Sequence, residues 1–217
     1  MRMLWLIPAL LLAGCSILPE AEELRVYQLP RSAPDAVAAP ANREGEVLRI
    51  NRPRAAPLLD STRIVVMPRA DQLSAYQGVR WSDRGPVLVR DRLVEGVRER
   101  GRFKAVVSDD LPAQAALELA GELNAFQIEY REGRPLAVIR LQATLLRGGS
   151  REVLASRGFS IERETDGASV DAAVEALGRG GEALAGEVAN WLAEQAATPG
   201  RTARAAHGLS GVQPAQE

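Results

Sequence analysis

The segment ALELAGELNAFQIEYREGRPLAVIRLQATLLRGGSREVLASRGFSIE, residues 116–162, decides the fold of this 217-residue chain. Its apolar side chains recur at every second residue, which is the period of a β-strand with one buried face. Two interruptions, at residues 131–135 and 148–150, contain glycine with proline or serine, as turns do. The segment therefore predicts three successive strands joined by tight turns, which is an antiparallel meander.

The first strand of this meander changes its alternation midway. The apolar residues of 117–123 share one parity, whereas those of 126–130 have the opposite parity. One extra residue in a strand moves every following side chain to the other face of the sheet. We therefore expect a β-bulge near Asn124 and Ala125, which would return both sets of apolar residues to one face.

Shorter apolar runs precede the meander. They predict a first strand over Leu24–Leu29, a short edge strand over Val47–Ile50 and a buried strand over Arg63–Met67. Pro68 is expected to stop the third of these strands, because proline cannot donate to a sheet ladder. Residues 31–46 are rich in alanine and proline and predict a loop.

Two amphipathic helices are predicted on either side of the meander. The first runs from Pro86 to Arg100, ends at Gly101 and leads into a short strand over residues 103–107. The second begins after the cap-type residues 166–169 and carries an apolar stripe about 22 residues long. Several glycines interrupt it, and close approach to a sheet is one reason for a helix to retain them.

The order of these elements predicts the fold class. We expect a single α+β domain over residues 24–197, in which two helices cover one face of a mixed or antiparallel sheet. Residues 198–217 lack periodicity and are rich in alanine, glycine and arginine, so they predict a disordered tail.

The first residues of the chain have the layout of an export signal. A positively charged start is followed by the apolar run Leu4–Leu12 and then by the small residues Ala13 and Gly14. About nine apolar residues, at about 1.5 Å of helix rise each, cannot cross a hydrocarbon core about 30 Å thick. The run is therefore interpreted as a signal peptide rather than a membrane span.

The end of this segment resembles the lipobox of bacterial lipoproteins, with Leu12 and the two small residues directly before Cys15. The resemblance implies a signal peptide over residues 1–14, cleavage between Gly14 and Cys15, acylation of Cys15, and a lipidated tether over residues 15–23. A single acyl chain binds membranes only marginally, so stable anchoring takes at least two. The alternative is a plain secretory signal followed by a chance cysteine.

Composition argues against several classes of function. The formal net charge is −1, so no excess of basic residues is available for nucleic acid. Cys15 is the only cysteine and His207, in the predicted tail, is the only histidine. We therefore predict no metal site and no His-dependent catalysis. Asp109 and Asp110 remain as a carboxylate pair for glycosidase chemistry, although adjacent acids in a turn more often cap a helix or face solvent.

Three aromatic residues are candidates for contacts with a partner protein. Tyr27 lies close to the tether, and Tyr76 and Trp81 lie in the connection between the buried strand and the first helix. Aromatic side chains in connections are frequent interface anchors. Packing of Tyr76 and Trp81 onto the sheet is the alternative.

The chain as a whole resembles the ABC-type transport auxiliary lipoproteins. The order and spacing of its parts carry the resemblance over residues 15–195: Cys15–Pro19, Tyr27–Leu29, Arg63–Pro68, Tyr76 with Arg80 and Trp81, the helix Pro86–Arg100 with Gly101–Phe103, the meander and the closing helix.

The resemblance implies a non-catalytic accessory role on the cell envelope. Such lipoproteins work beside an MCE-domain protein, a permease and an ABC ATPase that move lipids or other hydrophobic compounds. No cofactor is expected other than the lipid on Cys15, palmitate included. Ser16 after the cysteine favours the periplasmic face of the outer membrane over the inner membrane, and homo-oligomer formation is left open. The rival function is that of a structural or assembly lipoprotein that binds peptidoglycan or barrel proteins.

Overall fold

The computed structural model of the protein describes residues 24–31 and 45–196. Its main sheet is built around one long strand. The predicted signal peptide, tether and tail lie outside these residues, as does residue 197 of the predicted domain. In chain order the elements are β1 (Arg25–Tyr27), β2 (Val47–Ile50), β3 (Arg54–Ala55), β4 (Val65–Arg69), β5 (Gln72–Ala75), β6 (Val79–Trp81), α1 (Gly85–Glu99), β7 (Ala105–Ser108), β8 (Leu117–Arg131), β9 (Arg134–Arg147), β10 (Val153–Glu164) and α2 (Val170–Ala196).

Strand β8 is paired along both of its edges. β9 runs antiparallel to β8 along its whole length, and β10 continues the meander beyond β9. On the opposite edge β2, β3 and β4 lie one after another, each parallel to β8. β7 pairs with β2, and β5 pairs with β4. The sheet is therefore mixed, and the predicted α+β class is confirmed.

The meander has the predicted turns and the predicted bulge. The register between β8 and β9 shifts between Leu123 and Ala125, which leaves Asn124 as the extra residue. The β8–β9 turn consists of Glu132 and Gly133, both with positive φ, as a two-residue hairpin with the twist of its strands requires. Phe126 and Ile128 consequently share the buried face with the leucines before the bulge.

Two predictions about the short strands are wrong. The strand Val47–Ile50 is not at an edge, because it lies between β7 and β8 and pairs in parallel with both. Its polar residue, Arg49, is accommodated inside the sheet by a hydrogen bond to the carbonyl of Ala113 and an ion pair with Glu118. Pro68 does not stop β4. It lies where the pairing between β4 and β5 is irregular, so its missing N–H breaks no regular ladder bond.

The predicted connection between the buried strand and the first helix contains two further strands, β5 and β6. β6 pairs in parallel with β1 and forms a separate two-stranded sheet. The strand predicted near the N-terminus is thus confirmed, and its pairing partner comes from a segment where the sequence pattern predicts no strand.

Both helices pack against each other on the buried face of the sheet. A Cβ atom placed on Gly96 of α1 would lie 2.7 Å from the Cβ of Ala185 of α2, so glycine permits the close contact between the helices. Among the glycines of α2, only Gly180 approaches the sheet, where it faces Ile139. Gly178 faces Pro30, which means that α2 accommodates the N-terminal segment as well as the sheet. No helix in the described part of the chain is long and apolar enough to cross a membrane.

Candidate functional site

Residues 24–31 are the part of the described chain that follows the predicted tether, and they are built into the fold. Cys15 and Gly14 lie outside the described residues. The backbone N–H of Arg25 donates to the carbonyl of Gly78 over 3.0 Å, and the N–H of Ser82 donates to the carbonyl of Tyr27 over 2.7 Å. These bonds hold β1 against β6 at both ends, so the tether joins an ordered strand.

Tyr27 connects this strand to the start of α2. Its hydroxyl donates to Oδ1 of Asp171 over 2.6 Å, and its ring lies 5.7 Å beneath the guanidinium carbon of Arg25. The hydrogen bond to the Asp171 carboxylate, followed by burial, raises the pKa of Tyr27 above its ordinary value. Tyr27 is half-buried, so part of its side chain remains accessible to solvent while its hydroxyl is bound to Asp171.

Arg92 of α1 binds the end of the same segment. Its side chain is buried, and Nη2 donates to the carbonyls of Leu29 and Pro30 over 3.1 and 2.5 Å. Glu182 of α2 lies 3.6 Å from Nη1. Burial lowers the pKa of Arg92, against the opposing effect of nearby carboxylates. Because arginine ionises only at very high pH, the residue stays charged and holds the segment to both helices.

The structure places the three aromatic residues predicted as partner contacts in environments of different burial. Trp81 is fully buried and stacks on Phe126 with ring centroids 5.6 Å apart, so its side chain packs in the core as in the alternative reading. Tyr76 is half-buried, and burial, with a smaller effect of Tyr130, raises its pKa to about 12. Tyr27 pairs with Trp81 across β1 and β6, and the backbone N–H groups of Tyr76 and Trp81 donate to the neighbouring carbonyls of Ile64 and Thr62. The structure therefore brings all three aromatic residues to one part of the fold.

Asp109 and Asp110, the candidate carboxylate pair, are both bound to one buried arginine. Nη1 of Arg90 lies 2.7 Å from Oδ1 of Asp109, and Nη2 lies 2.7 Å from Oδ2 of Asp110. Burial alone would raise the pKa of Asp109, but the N–H of Arg52 and the guanidinium of Arg90 outweigh it and lower that pKa. A general acid needs a raised pKa, so the environment of Asp109 is that of a structural ion pair.

Glu129 is a buried carboxylate that sequence reasoning missed. It lies on the sheet face opposite Phe126 and Ile128, where the alternation predicts solvated residues. Its carboxylate accepts hydrogen bonds from Nη2 of Arg131 over 2.8 Å and from Nη1 of Arg140 over 3.0 Å. Glu162 of β10 binds Arg131 in turn over 2.8 Å.

This charge cluster could have been found from the register of the first hairpin. The two-residue turn places Glu129 opposite Leu136, and the same register places Arg140, opposite Ala125, on the same face of the sheet as Glu129. Burial alone would raise the pKa of Glu129, but the hydrogen bonds and charges of Arg131 and Arg140 outweigh burial and lower it. The cluster therefore ties three strands of the meander together.

The described residues contain no group of three or more His, Cys, Asp or Glu side chains arranged to hold a metal ion.

Comparison with known proteins gives a consistent result. The profile of the family described as ABC-type transport auxiliary lipoprotein component matches residues 27–189. The crystal structure of XCC0632 from Xanthomonas campestris, a protein of the DUF330 family, is 26% identical with a TM-score of 0.68, and the match covers 78% of this chain and 95% of that one. A second crystal structure, of an uncharacterized protein, is 18% identical with a TM-score of 0.62 over 79% of this chain and 99% of that one, which shows the fold. No curated protein matches the chain.

The family match spans the elements described above, from β1 into α2, and includes the segment that Arg92 binds. The expected family and the observed fold therefore agree, and the chain belongs to the family of ABC-type transport auxiliary lipoprotein components.

Proposed function

We propose that the protein is a lipid-anchored, non-catalytic component of an ABC-type transport system that moves lipids or other hydrophobic compounds across the cell envelope. Its partners in this proposal are an MCE-domain protein, a permease and an ATPase. Membership of the auxiliary lipoprotein family supports association with an ABC-type system. The sequence has no nucleotide-binding motif, so ATP hydrolysis is assigned to a partner.

The observation that carries the proposal is the attachment of residues 24–31 to the folded domain. Because β1 pairs with β6 and Arg92 binds Leu29 and Pro30, the chain between the lipid and the described domain is limited to residues 15–23. Nine residues reach about 30 Å at most, at about 3.3–3.6 Å each. Lipid on Cys15 would thus hold the domain directly beside a bilayer, where an accessory component of a membrane transporter works.

The structural role of Asp109 and Asp110 supports the non-catalytic part of the proposal. Both carboxylates neutralise the buried Arg90. The pKa of Asp109 is lowered, whereas an acid catalyst needs a raised pKa. Ser16, the residue after Cys15, supports an outer-membrane location facing the periplasm.

Co-purification tests this proposal. The full chain with a C-terminal tag, extracted from membranes in mild detergent, is expected to bring down an MCE-domain protein with its permease and ATPase. A Cys15→Ala variant is the matched control: it keeps the described fold, and it should leave the membrane fraction and fail to restore envelope integrity in a deletion strain. Recovery with peptidoglycan or a barrel-assembly complex, without transporter subunits, would support the rival structural role and refute the proposal.

A further inference from the structure

We propose that the end of the domain that carries β1, β5 and β6 contacts the surface of the bilayer that holds the lipid of Cys15. The contact surface, called here the anchor-side surface, consists of Leu24, Val26 and Leu73, with Tyr27 and Tyr76 beside them. The inference rests on the proposed lipidation and adds to it a second, non-covalent contact between the protein and the membrane.

The topology places these elements at one end of the long strand. β4 pairs with β8 at Gln127–Glu129, and β5 pairs with β4. Trp81 of β6 stacks on Phe126, and β1 pairs with β6. All of these contacts lie in the second half of β8, so β1, β5 and β6 are grouped near its C-terminal end.

Three of the five exposed large apolar side chains among the described residues lie at this end. Leu24, Val26 and Leu73 are 54%, 51% and 50% exposed. Val153, which is 60% exposed, lies at the opposite end, because its partner Leu146 pairs with Glu118 near the start of β8. At about 3.3 Å per residue, Glu118 and Glu129 are about 36 Å apart along the strand. Exposing a group of large apolar side chains to water is energetically unfavourable, and such a group often marks an interaction surface.

The polar groups at the same end fit a lipid interface. The three tyrosines of the sequence, Tyr27, Tyr76 and Tyr130, all lie here, each partly buried against the core. Tyrosine is enriched where a protein meets lipid headgroups, because its ring is apolar and its hydroxyl is polar. The exposed Arg80 lies beside Val26 in the β1–β6 register, and a guanidinium group binds phosphate readily.

The length of the tether favours the bilayer as the partner that covers this surface. Leu24 is where the tether ends, and the chain from Cys15 to Leu24 reaches about 30 Å at most. The end with Val153 lies about 36 Å further along β8. The domain therefore reaches the membrane most easily through the anchor-side surface, and the covalent lipid raises the local concentration of bilayer there.

The chain offers a clean way to test this contact. Its only native cysteine is acylated in the proposal, so a thiol introduced on the surface can be labelled alone. The full lipidated chain carrying Leu73→Cys is labelled with an environment-sensitive fluorophore and placed in vesicles of phosphatidylethanolamine and phosphatidylglycerol that contain a nitroxide-labelled lipid. Val153→Cys, labelled in the same way, is the matched control at the opposite end of the domain.

Quenching at position 73 is expected to be about twofold or more above quenching at position 153, as for a side chain at the headgroup boundary. Adding Leu24→Asp and Val26→Asp should reduce it to the level of position 153, while circular dichroism reports an unchanged fold. Equal quenching at both positions would overturn the inference. So would quenching at position 73 that rises with protein density in the vesicles, which would assign the surface to a second copy of the chain.

Flotation of the vesicles separates failure of this inference from failure of the proposed anchoring. Protein that floats without preferential quenching at position 73 is anchored but does not use the anchor-side surface. Protein that does not float lacks the anchor, and the proposed function itself is then refuted.

Discussion

Replacing Arg92 with methionine is expected to lower the free energy of unfolding by about 3 kcal/mol, because hydrogen bonds to charged groups contribute about 1.5–3 kcal/mol each and a buried partner left unpaired costs more. Methionine retains the apolar stem that packs in the buried site, but it cannot donate to the carbonyls of Leu29 and Pro30. It also leaves Glu182 without this ion pair. The segment 24–31 should then lose its attachment to the helices before the rest of the domain unfolds.

Urea unfolding and amide hydrogen exchange measure these two effects. In the Arg92→Met variant, exchange is expected to speed up most in residues 27–31 and little in the meander. Arg54→Met is the matched control, since the ion pair of Arg54 with Glu122 is exposed and contributes about 0–1 kcal/mol. Equal losses of stability in the two variants would contradict the role assigned to Arg92.

Replacing Glu129 with glutamine is expected to cost about 2 kcal/mol at pH 7, because a buried carboxylate that accepts charge-assisted hydrogen bonds is replaced by a neutral amide. Glutamine has the same shape, so the change removes charge without creating a cavity. The side chains of Arg131 and Arg140 are partly exposed and can turn to water, which keeps the cost below that of a fully buried pair.

The same cluster gives a pH dependence with a definite sign. The pKa of Glu129 is lower in the folded protein than its ordinary value of 4.5, and that of Glu162 is lowered as well, first of all by the hydrogen bond from Arg131. A lowered carboxyl pKa stabilises the fold above the unfolded value, and this stabilisation is lost as the pH falls through the folded value. The stability difference between the wild type and Glu129→Gln should therefore be constant near neutrality and shrink below pH 4.5.

Urea titrations at a series of pH values check this dependence, with Glu122→Gln as the exposed control. Glu122 forms an exposed ion pair with Arg54, so its substitution should change stability little at any pH. A Glu129→Gln deficit that matches the control at pH 7, or that grows as the pH falls, would contradict the assignment of Glu129 as a buried ion-pair partner.

The parts of the fold predicted from sequence are those that depend on local periodicity. Alternation over residues 116–162 predicts the meander, and its change of parity predicts the bulge at Asn124. The helix after Gly85 and its end at Gly101, which has a φ of 64°, follow from cap chemistry in the sequence. Each of these features is determined by residues that are neighbours along the chain.

The missed features depend on partners that are distant in sequence. β6 is three residues long, and the strand that pairs with it, β1, is more than 50 residues away. The sequence predicts β2 as an edge strand because it is a short run followed by Pro53 and Pro57. Only the tertiary fold supplies its neighbours β7 and β8, and the partners of Arg49. The glycines of α2 also depend on distant partners, because Gly178 makes room for Pro30 and Gly180 makes room for Ile139 of the sheet.

The candidate site also contains residues that a local sequence pattern predicts and residues whose partners are distant in sequence. Sequence predicts Cys15 from a compact local pattern, and it singles out Tyr27 and Tyr76 because aromatic residues are scarce in this chain. It gives no sign of Arg92, whose partners Leu29 and Pro30 are about 60 residues away and present only backbone carbonyls. Arg92 nevertheless holds the end of the N-terminal segment to the helices.

Lipid on Cys15 that holds the domain beside a bilayer through a short tether can be detected by mass spectrometry of the N-terminal peptide from purified membranes. We expect a mature chain that begins at Cys15, carries acyl chains on that residue and lacks residues 1–14. An unmodified thiol at Cys15, or a chain that still carries the leader, would refute the proposed anchoring.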